Sequence, residues 1–172
     1  PNLFIFLGCG SLSACLGAKV KYFPSSGAHM LQGNMSLDEI QQVELDPENK
    51  WWKYTIECAK MASKRCWGKA VVAFPDLLDA VTVSGQLRGN YPTNLLRDMF
   101  TNGHKLKKAL ERIHSVWIRC YNELCEAINL SENGYSTWAG LWSESKHYVL
   151  QCDTIVYLSP KLFDEFGIEV LC

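Results

Sequence analysis

The sequence predicts an α/β fold, and within that class a partial (β/α)8 TIM barrel, from three observations. Residues 70–74 (Ala-Val-Val-Ala-Phe) form an uninterrupted apolar run rich in β-branched side chains, the pattern of a parallel strand buried on both faces. Residues 104–129 repeat apolar side chains at intervals of three and four with charges on the far face, the pattern of a helix packed on a sheet. Residues 134–160 pass from strand-like alternation through a loop crowded with Trp, Tyr, His, Gln and Asp into a capped helix, which makes a βα unit. Parallel strands joined by right-handed helical crossovers give the class. A complete barrel takes about 250 residues. The 172 residues of this chain would then carry about half of one, with a doubly wound open sheet as the alternative.

Taken in order, the chain opens on an apolar strand-like segment, residues 3–7, and passes through Gly8-Cys9-Gly10 into a short helix over residues 12–16 that Gly17 ends. A glycine pair before a helix can cradle a phosphate. Here Ser13 interrupts any G-x-G-x-x-G, so the pair reads as a tight turn. Residues 18–23 and 29–32 flank Pro24-Ser25-Ser26-Gly27 and predict a small hairpin, in which His29 is a half-buried strand residue rather than a ligand. Ser36 caps a short helix. Asp46-Pro47 starts a longer one, with Asp as cap and Pro at the first helical position. That helix is expected to reach about Cys66 and to bury Trp51, Tyr54, Cys58 and Met61 or Ala62. The strand at residues 70–74 ends in Pro75-Asp76, which puts a carboxylate at its C-terminal tip. A helical pattern follows from Leu77, breaks at Gly89-Asn90-Tyr91-Pro92 and resumes over residues 93–100. Asn102-Gly103 separates it from the long helix, whose buried stripe is Leu106, Leu110, Ile113, Trp117, Cys120 or Tyr121, Leu124 and Ile128, with His114 beside it as a structural residue. Ser159-Pro160 starts the last helix. Pro1 stands where a Met is usual and residues 163–172 end inside a helical pattern, so the chain is read as a piece of a longer protein, a fragment of a single barrel domain. Residues 1–46 supply short N-terminal strands and helices, and residues 47–172 the βα units.

Seventeen Lys and Arg against eighteen Asp and Glu leave no electrostatic footprint for nucleic acid or an anionic membrane. The longest apolar stretch is too short to span a bilayer, and no charged region precedes it as in a signal peptide, so a cytoplasmic location is expected. Eight cysteines (Cys9, Cys15, Cys58, Cys66, Cys120, Cys125, Cys152 and Cys172) show no C-x-x-C and no Cys/His pair at ligand spacing. They read as reduced, buried thiols, with neither a metal nor a cofactor expected. The expected partner is a small-molecule substrate, with a homodimer possible.

In barrel folds the loops after the strands carry the chemistry, so the site is sought at Asp76 and within residues 134–160. Asp76 suits a general acid or base, or a stabiliser of a cationic intermediate, and equally a cap for the following helix. Gln151 and Asp153 stand two residues apart in an extended segment, share one side and would face a pocket together. Asp153 is preferred as a catalytic carboxylate over a loop residue tied to backbone N–H groups. Half-buried among Trp138, Trp142 and Tyr148, it would have its pKa raised by desolvation unless Gln151 and backbone N–H groups stabilise the anion. Trp138 and Trp142 wall a flat substrate or pack under the loop. His147 and Tyr148 suit acid-base work or carboxylate recognition. Arg88 is a substrate-binding candidate whose commoner role would be to hold the turn at Gly89.

Four stretches, FLGCGSLSACLGAKV, LDPENKWWKYTIECAK, GKAVVAFPDLLDAVTVSGQLRG and WAGLWSESKHYVLQCDTIVYLSPKLFDEF, resemble in that order the uroporphyrinogen decarboxylase superfamily, and within it the bacterial decarboxylase-like proteins of undefined activity. The resemblance implies a (β/α)8 barrel with its site at the C-terminal ends of the strands. It implies a carbon–carbon lyase, a decarboxylase acting without cofactor on a carboxylate-bearing small molecule, for which Asp76 and Asp153, read above from their positions, are the catalytic candidates. It leaves open a methyltransferase working between a corrinoid and a thiol, its zinc motif beyond Cys172, or a relative that catalyses nothing. It also implies a Gly-Gly after P-D-L, where this chain has Leu78-Asp79.

Overall fold

The structure is a computed structural model that describes residues 1–5, 11–23, 27–30, 33–129 and 134–168, with the backbone alone for residues 22–23 and 27–30. The Gly8-Cys9-Gly10 turn, Cys172 and the His29 side chain lie outside the described residues. Strand β1 (Asn2–Phe4) pairs in parallel with β4 (Val71–Ala73), Asn2 opposite Val71 and Phe4 opposite Ala73. The connection between them holds α1 (Ser11–Cys15), the antiparallel hairpin of β2 (Val20–Phe23) and β3 (Gly27–Met30), α2 (Leu37–Ile40) and α3 (Lys50–Cys66). After β4 come α4 (Ala80–Arg88), α5 (Thr93–Thr101) and α6 (Gly103–Ile128). The Phe74 N–H then donates to the Ser136 carbonyl at 2.8 Å, which sets β5 (Tyr135–Ser136) beside the C-terminal end of β4. The class is mixed α/β, as expected. Among the described residues the strands form three two-stranded sheets, and no closed barrel is present. No described helix is long and apolar enough to cross a membrane.

Helix α6 organises the core. Its stripe is the predicted one: Leu106, Leu110, Ile113, Cys120, Leu124 and Ile128 are fully buried, Tyr121 joins them and Trp117 packs against the cluster. It touches α2, α3, α4 and α5.

Helix α3 departs from expectation in two ways. It starts at Lys50 with Asn49 as its cap, the Asn49 side chain accepting from Trp51 N–H at 2.9 Å. Asp46 caps only the preceding turn, through Glu48 N–H at 2.9 Å. The reason is tertiary, because the Asn49 amide also donates to the Cys15 carbonyl at 3.1 Å and ties α3 to α1. The buried face is Trp52, Thr55, Ala59 and Ser63, whereas Tyr54 and Met61 are each 52% exposed. Close approach to α6 selects small residues from Thr55 to Ser63, where Ser63 Oγ donates to the Ile128 carbonyl at 2.8 Å, while at the start of the helix the buried Trp52 donates through Nε1 to Glu123 at 2.9 Å. Reading the largest side chains as the buried ones puts the stripe one residue out of phase.

The expected strand at residues 135–140 is only two residues long. The Gly140 N–H closes a turn onto the Thr137 carbonyl at 2.8 Å, and the chain reverses into β6 (Trp142–Ser143), antiparallel to β5. Beyond it lie a 3₁₀ helix (Asp153–Tyr157), then α7 (Pro160–Phe163), capped by Ser159 as predicted, and a π-helical turn (Asp164–Ile168).

Arg88 Nε meets Asp98 Oδ2 at 2.7 Å, with the Asp98 side chain 1% exposed. Arg88 also donates to the Met35 carbonyl at 3.3 Å, and Asn102 to the other Asp98 oxygen at 3.1 Å. The pair fastens α4 to α5 and to the segment that contains Gly33, whose backbone lies directly on that of Gly89. Removing one member strands a buried charge, so Asp98→Ala is expected to cost about 3 kcal/mol in urea unfolding, and the apolar double variant Arg88→Met with Asp98→Leu to recover most of it.

Candidate functional site

The site grows from the tip of β4. Phe74, fully buried, stacks on Tyr121 with ring centres 4.8 Å apart. The chain then turns at Pro75-Asp76. Ser11 Oγ holds the Asp76 carbonyl at 2.9 Å, while Asp76 Oδ1 accepts from Leu78 N–H at 3.0 Å and from Gln151 Nε2 at 2.7 Å. Leu78 holds a φ of 60°, in the left-handed region that favours glycine. That bend delays α4, so its cap is Asp79 rather than Asp76. Asp79 accepts from Thr82 N–H at 2.9 Å and from Thr82 Oγ1 at 2.6 Å.

The segment of residues 144–152 is fastened to this tip by Tyr148. Its hydroxyl accepts from Leu77 N–H and donates to the Pro75 carbonyl, both at 2.9 Å. Its ring meets Trp117 edge to face at 4.9 Å. Burial pushes the Tyr148 phenol well above its ordinary range, against the opposing bonds from Leu77 N–H and Trp138. Behind the tip runs a buried polar chain: Thr82 Oγ1 lies 3.1 Å from Thr154 Oγ1, which lies 3.0 Å from Tyr91 Oη. Burial raises the Asp79 pKa, with the Thr82 hydroxyl and N–H opposing it. Partial desolvation also raises Asp153, although the residue is largely exposed, and the charges of Asp79 and then Asp76 add to the shift. The Cys152 thiol is pushed up to about 12, chiefly by burial and next by Asp79, so it stays protonated and unreactive near neutrality.

A cleft of about 230 Å³ opens between the start of α4, α6 and residues 148–151, lined among others by Leu78, Asp79, His114, Trp117, Tyr148 and Gln151. Of the sequence-predicted residues, Tyr148 and Gln151 line it directly. Asp76 stands behind Gln151 and holds its amide. Trp138 stands against the Tyr148 hydroxyl from the hairpin turn. Arg88, Trp142 and His147 are not among the cleft's lining residues: Arg88 is paired with Asp98, the Trp142 ring covers Gly134, and the His147 carbonyl accepts from Tyr121 Oη at 3.1 Å. Asp153 is exposed rather than half-buried among tryptophans. The extended alternation that would pair it with Gln151 ends at Cys152, where the Ile155 N–H returns to the Cys152 carbonyl at 3.0 Å and the chain coils.

Three residues at the site escaped the sequence reading. His114 and Trp117 lie three apart on one face of α6, a spacing visible in the sequence. Asp79 has a cap signature, a carboxylate three residues before Thr82, that only the bend at Leu78 brings into use. Among the described residues no group of three His, Cys, Asp or Glu is placed to hold a metal ion. Neither the protein-family models nor the curated proteins compared with the chain give any match.

Tyr148→Phe leaves the buried Leu77 N–H and Pro75 carbonyl without a partner and is expected to cost about 1–3 kcal/mol by denaturant unfolding. A raised folded pKa makes ionised Asp153 a cost that is absent below the unfolded value of about 3.9 and complete above the folded one. Asp153→Asn is therefore expected to melt higher than wild type at pH 7 and no differently at pH 3, as thermal melts at the two pH values would read.

Proposed function

We propose that the protein is a uroporphyrinogen decarboxylase-like carbon–carbon lyase that removes carbon dioxide from a carboxylate-bearing small molecule bound in the cleft at the tip of β4. The observation that carries this reading is the Asp76 to Gln151 bond at 2.7 Å, which joins a strand-tip carboxylate to a cleft-lining amide from the loop after the β5–β6 hairpin. Such an arrangement at the C-terminal end of a parallel strand is what a barrel-type site requires. A second support is Leu78, whose φ of 60° is the glycine-type backbone expected where the resembling proteins carry Gly-Gly. The parallel pair β1 and β4, with β5 following, is compatible with part of a barrel.

In this reading a proton adds to the substrate carbon that bears the leaving group and the carbon–carbon bond breaks. Carbon dioxide departs, and the bonding pair stays with the ring. Positive charge on the protonated intermediate is favoured by the negative field of Asp76 and Asp79, placed there before the reaction begins. Asp153, exposed, raised in pKa and two residues beyond Gln151, suits proton relay to solvent. Asp76 acts as a positioning residue through Gln151.

The test is carbon dioxide release by the purified protein from a panel of carboxylates that includes uroporphyrinogen. Asp76→Ala and Gln151→Ala are each expected to lower kcat roughly 10–100-fold, and the double variant to be no worse than either, because residues that act as one unit are not additive. Methylation of a thiol from a methylcorrinoid without carbon dioxide release would support the methyltransferase reading instead, and neither reaction would support a non-catalytic relative.

A further inference from the structure

We infer that the cleft takes a single planar ring with one N–H donor and one acidic substituent, a monocyclic heteroaromatic carboxylate, rather than a macrocycle. The inference rests on the reading of the site proposed above and narrows its substrate class. Size is the first argument. About 230 Å³ falls below the roughly 300–1,000 Å³ typical of pockets for drug-sized ligands. At a water's share of about 30 Å³ it is the space of roughly eight water molecules, enough for one ring and a carboxylate.

Shape is the second argument. Trp117 and Tyr148 meet at 82° with centres 4.9 Å apart, so they form a corner of one ring face and one ring edge. Leu78 and Val149 continue that apolar wall. A flat ring fills such a corner, whereas a flexible chain would lose more conformational freedom for the same contact.

Polarity is the third. Most polar atoms of the lining are already engaged: Trp117 Nε1 with the Leu78 carbonyl at 3.0 Å, the Tyr148 hydroxyl with Leu77 and Pro75, both Asp79 oxygens with Thr82. Two groups are not. The Gln151 amide nitrogen donates to Asp76, which leaves its oxygen as an acceptor for a ring N–H. His114 has no hydrogen-bond partner among the described residues, and it is the one basic side chain of the lining, with a ring N–H to give to an acid group. The cleft therefore offers a ring wall, a side-chain acceptor at Gln151 and a side-chain donor at His114 for an acid group.

Isothermal titration of the full chain with four probes tests this: pyrrole-2-carboxylate, furan-2-carboxylate, which lacks the N–H, pyrrole-2-carboxamide, which lacks the charge, and coproporphyrin as the macrocycle. The pyrrole acid should bind one to one, with the furan acid and the amide each roughly tenfold weaker for one lost polar contact. Gln151→Leu should abolish the pyrrole-to-furan difference alone, and His114→Gln the acid-to-amide difference alone, in variants that melt near wild type. Each preference is read within one variant, so a general loss of folded protein does not imitate the pattern. Absence of binding by the pyrrole acid, preferences unchanged in the variants, or coproporphyrin binding as tightly would overturn the inference. Ring binding without carbon dioxide release would uphold it and sink the lyase reading, and carbon dioxide release from a macrocycle without ring binding would do the reverse.

Discussion

One hydroxyl group joins the parts of this molecule that matter for its site. Tyr148 accepts the Leu77 N–H and donates to the Pro75 carbonyl, so it satisfies both backbone groups exposed where β4 ends. Its ring stands edge-on to Trp117, Phe74 and Tyr121. Aromatic pairs of this geometry contribute about 0.5–1.5 kcal/mol each beyond the area they bury. A stranded buried N–H or carbonyl costs about 1–3 kcal/mol. The two effects act in the same direction, and together they hold a loop of little regular structure against the sheet end. Without that contact the segment carrying Gln151 is held to the strand tip only by the Gln151 to Asp76 bond and by its flanks at His147 and Thr154, and the cleft loses one ring of its wall.

The same region concentrates negative charge at the end of β4. Asp76 and Asp79 are both used by backbone N–H groups, Asp76 for Leu78 and Asp79 for Thr82, so each has a structural duty. Burial still raises Asp79, and partial desolvation with the charges of Asp79 and Asp76 raises Asp153, which means the fold tolerates an arrangement it would not choose for stability alone. The left-handed Leu78 belongs to the same pattern, since a non-glycine residue at positive φ costs on the order of 1–3 kcal/mol unless its surroundings over-determine it. Strain and like charge gathered at one strand tip are the physical reason to look for function there rather than along the helices.

Helix α6 supplies the counterweight. It carries a buried stripe along nearly its whole length, and α2, α3, α4 and α5 all rest on it, so a site with little regular structure is mounted on the helix that the rest of the core packs against. Trp117 belongs to both parts, packing in the core and lining the cleft, and its indole N–H is fixed by the Leu78 carbonyl.

What the sequence determined by itself is the local physics. The period of α6, the Ser36 and Ser159 caps, the break at Gly89 to Pro92 and the parallel character of residues 71–73 all follow from spacing, cap chemistry and β-branching, which act within a few residues. The concentration of candidate residues at Asp76, Tyr148 and Gln151 was also legible, because polar and aromatic side chains at a strand tip and in a long loop have few structural duties that a sequence would predict. Tertiary structure decided the rest. Asn49 displaced Asp46 as a cap because its amide reaches α1, and α3 buried its small residues because α6 lies close. Arg88 went to Asp98, and Asp153 left its alternation where the chain coiled. His114 entered the cleft because residues 148–151 fold over that face of α6. Each of these outcomes turns on a partner more than a few positions away, and a period or a cap signal carries no information about which distant surface will arrive.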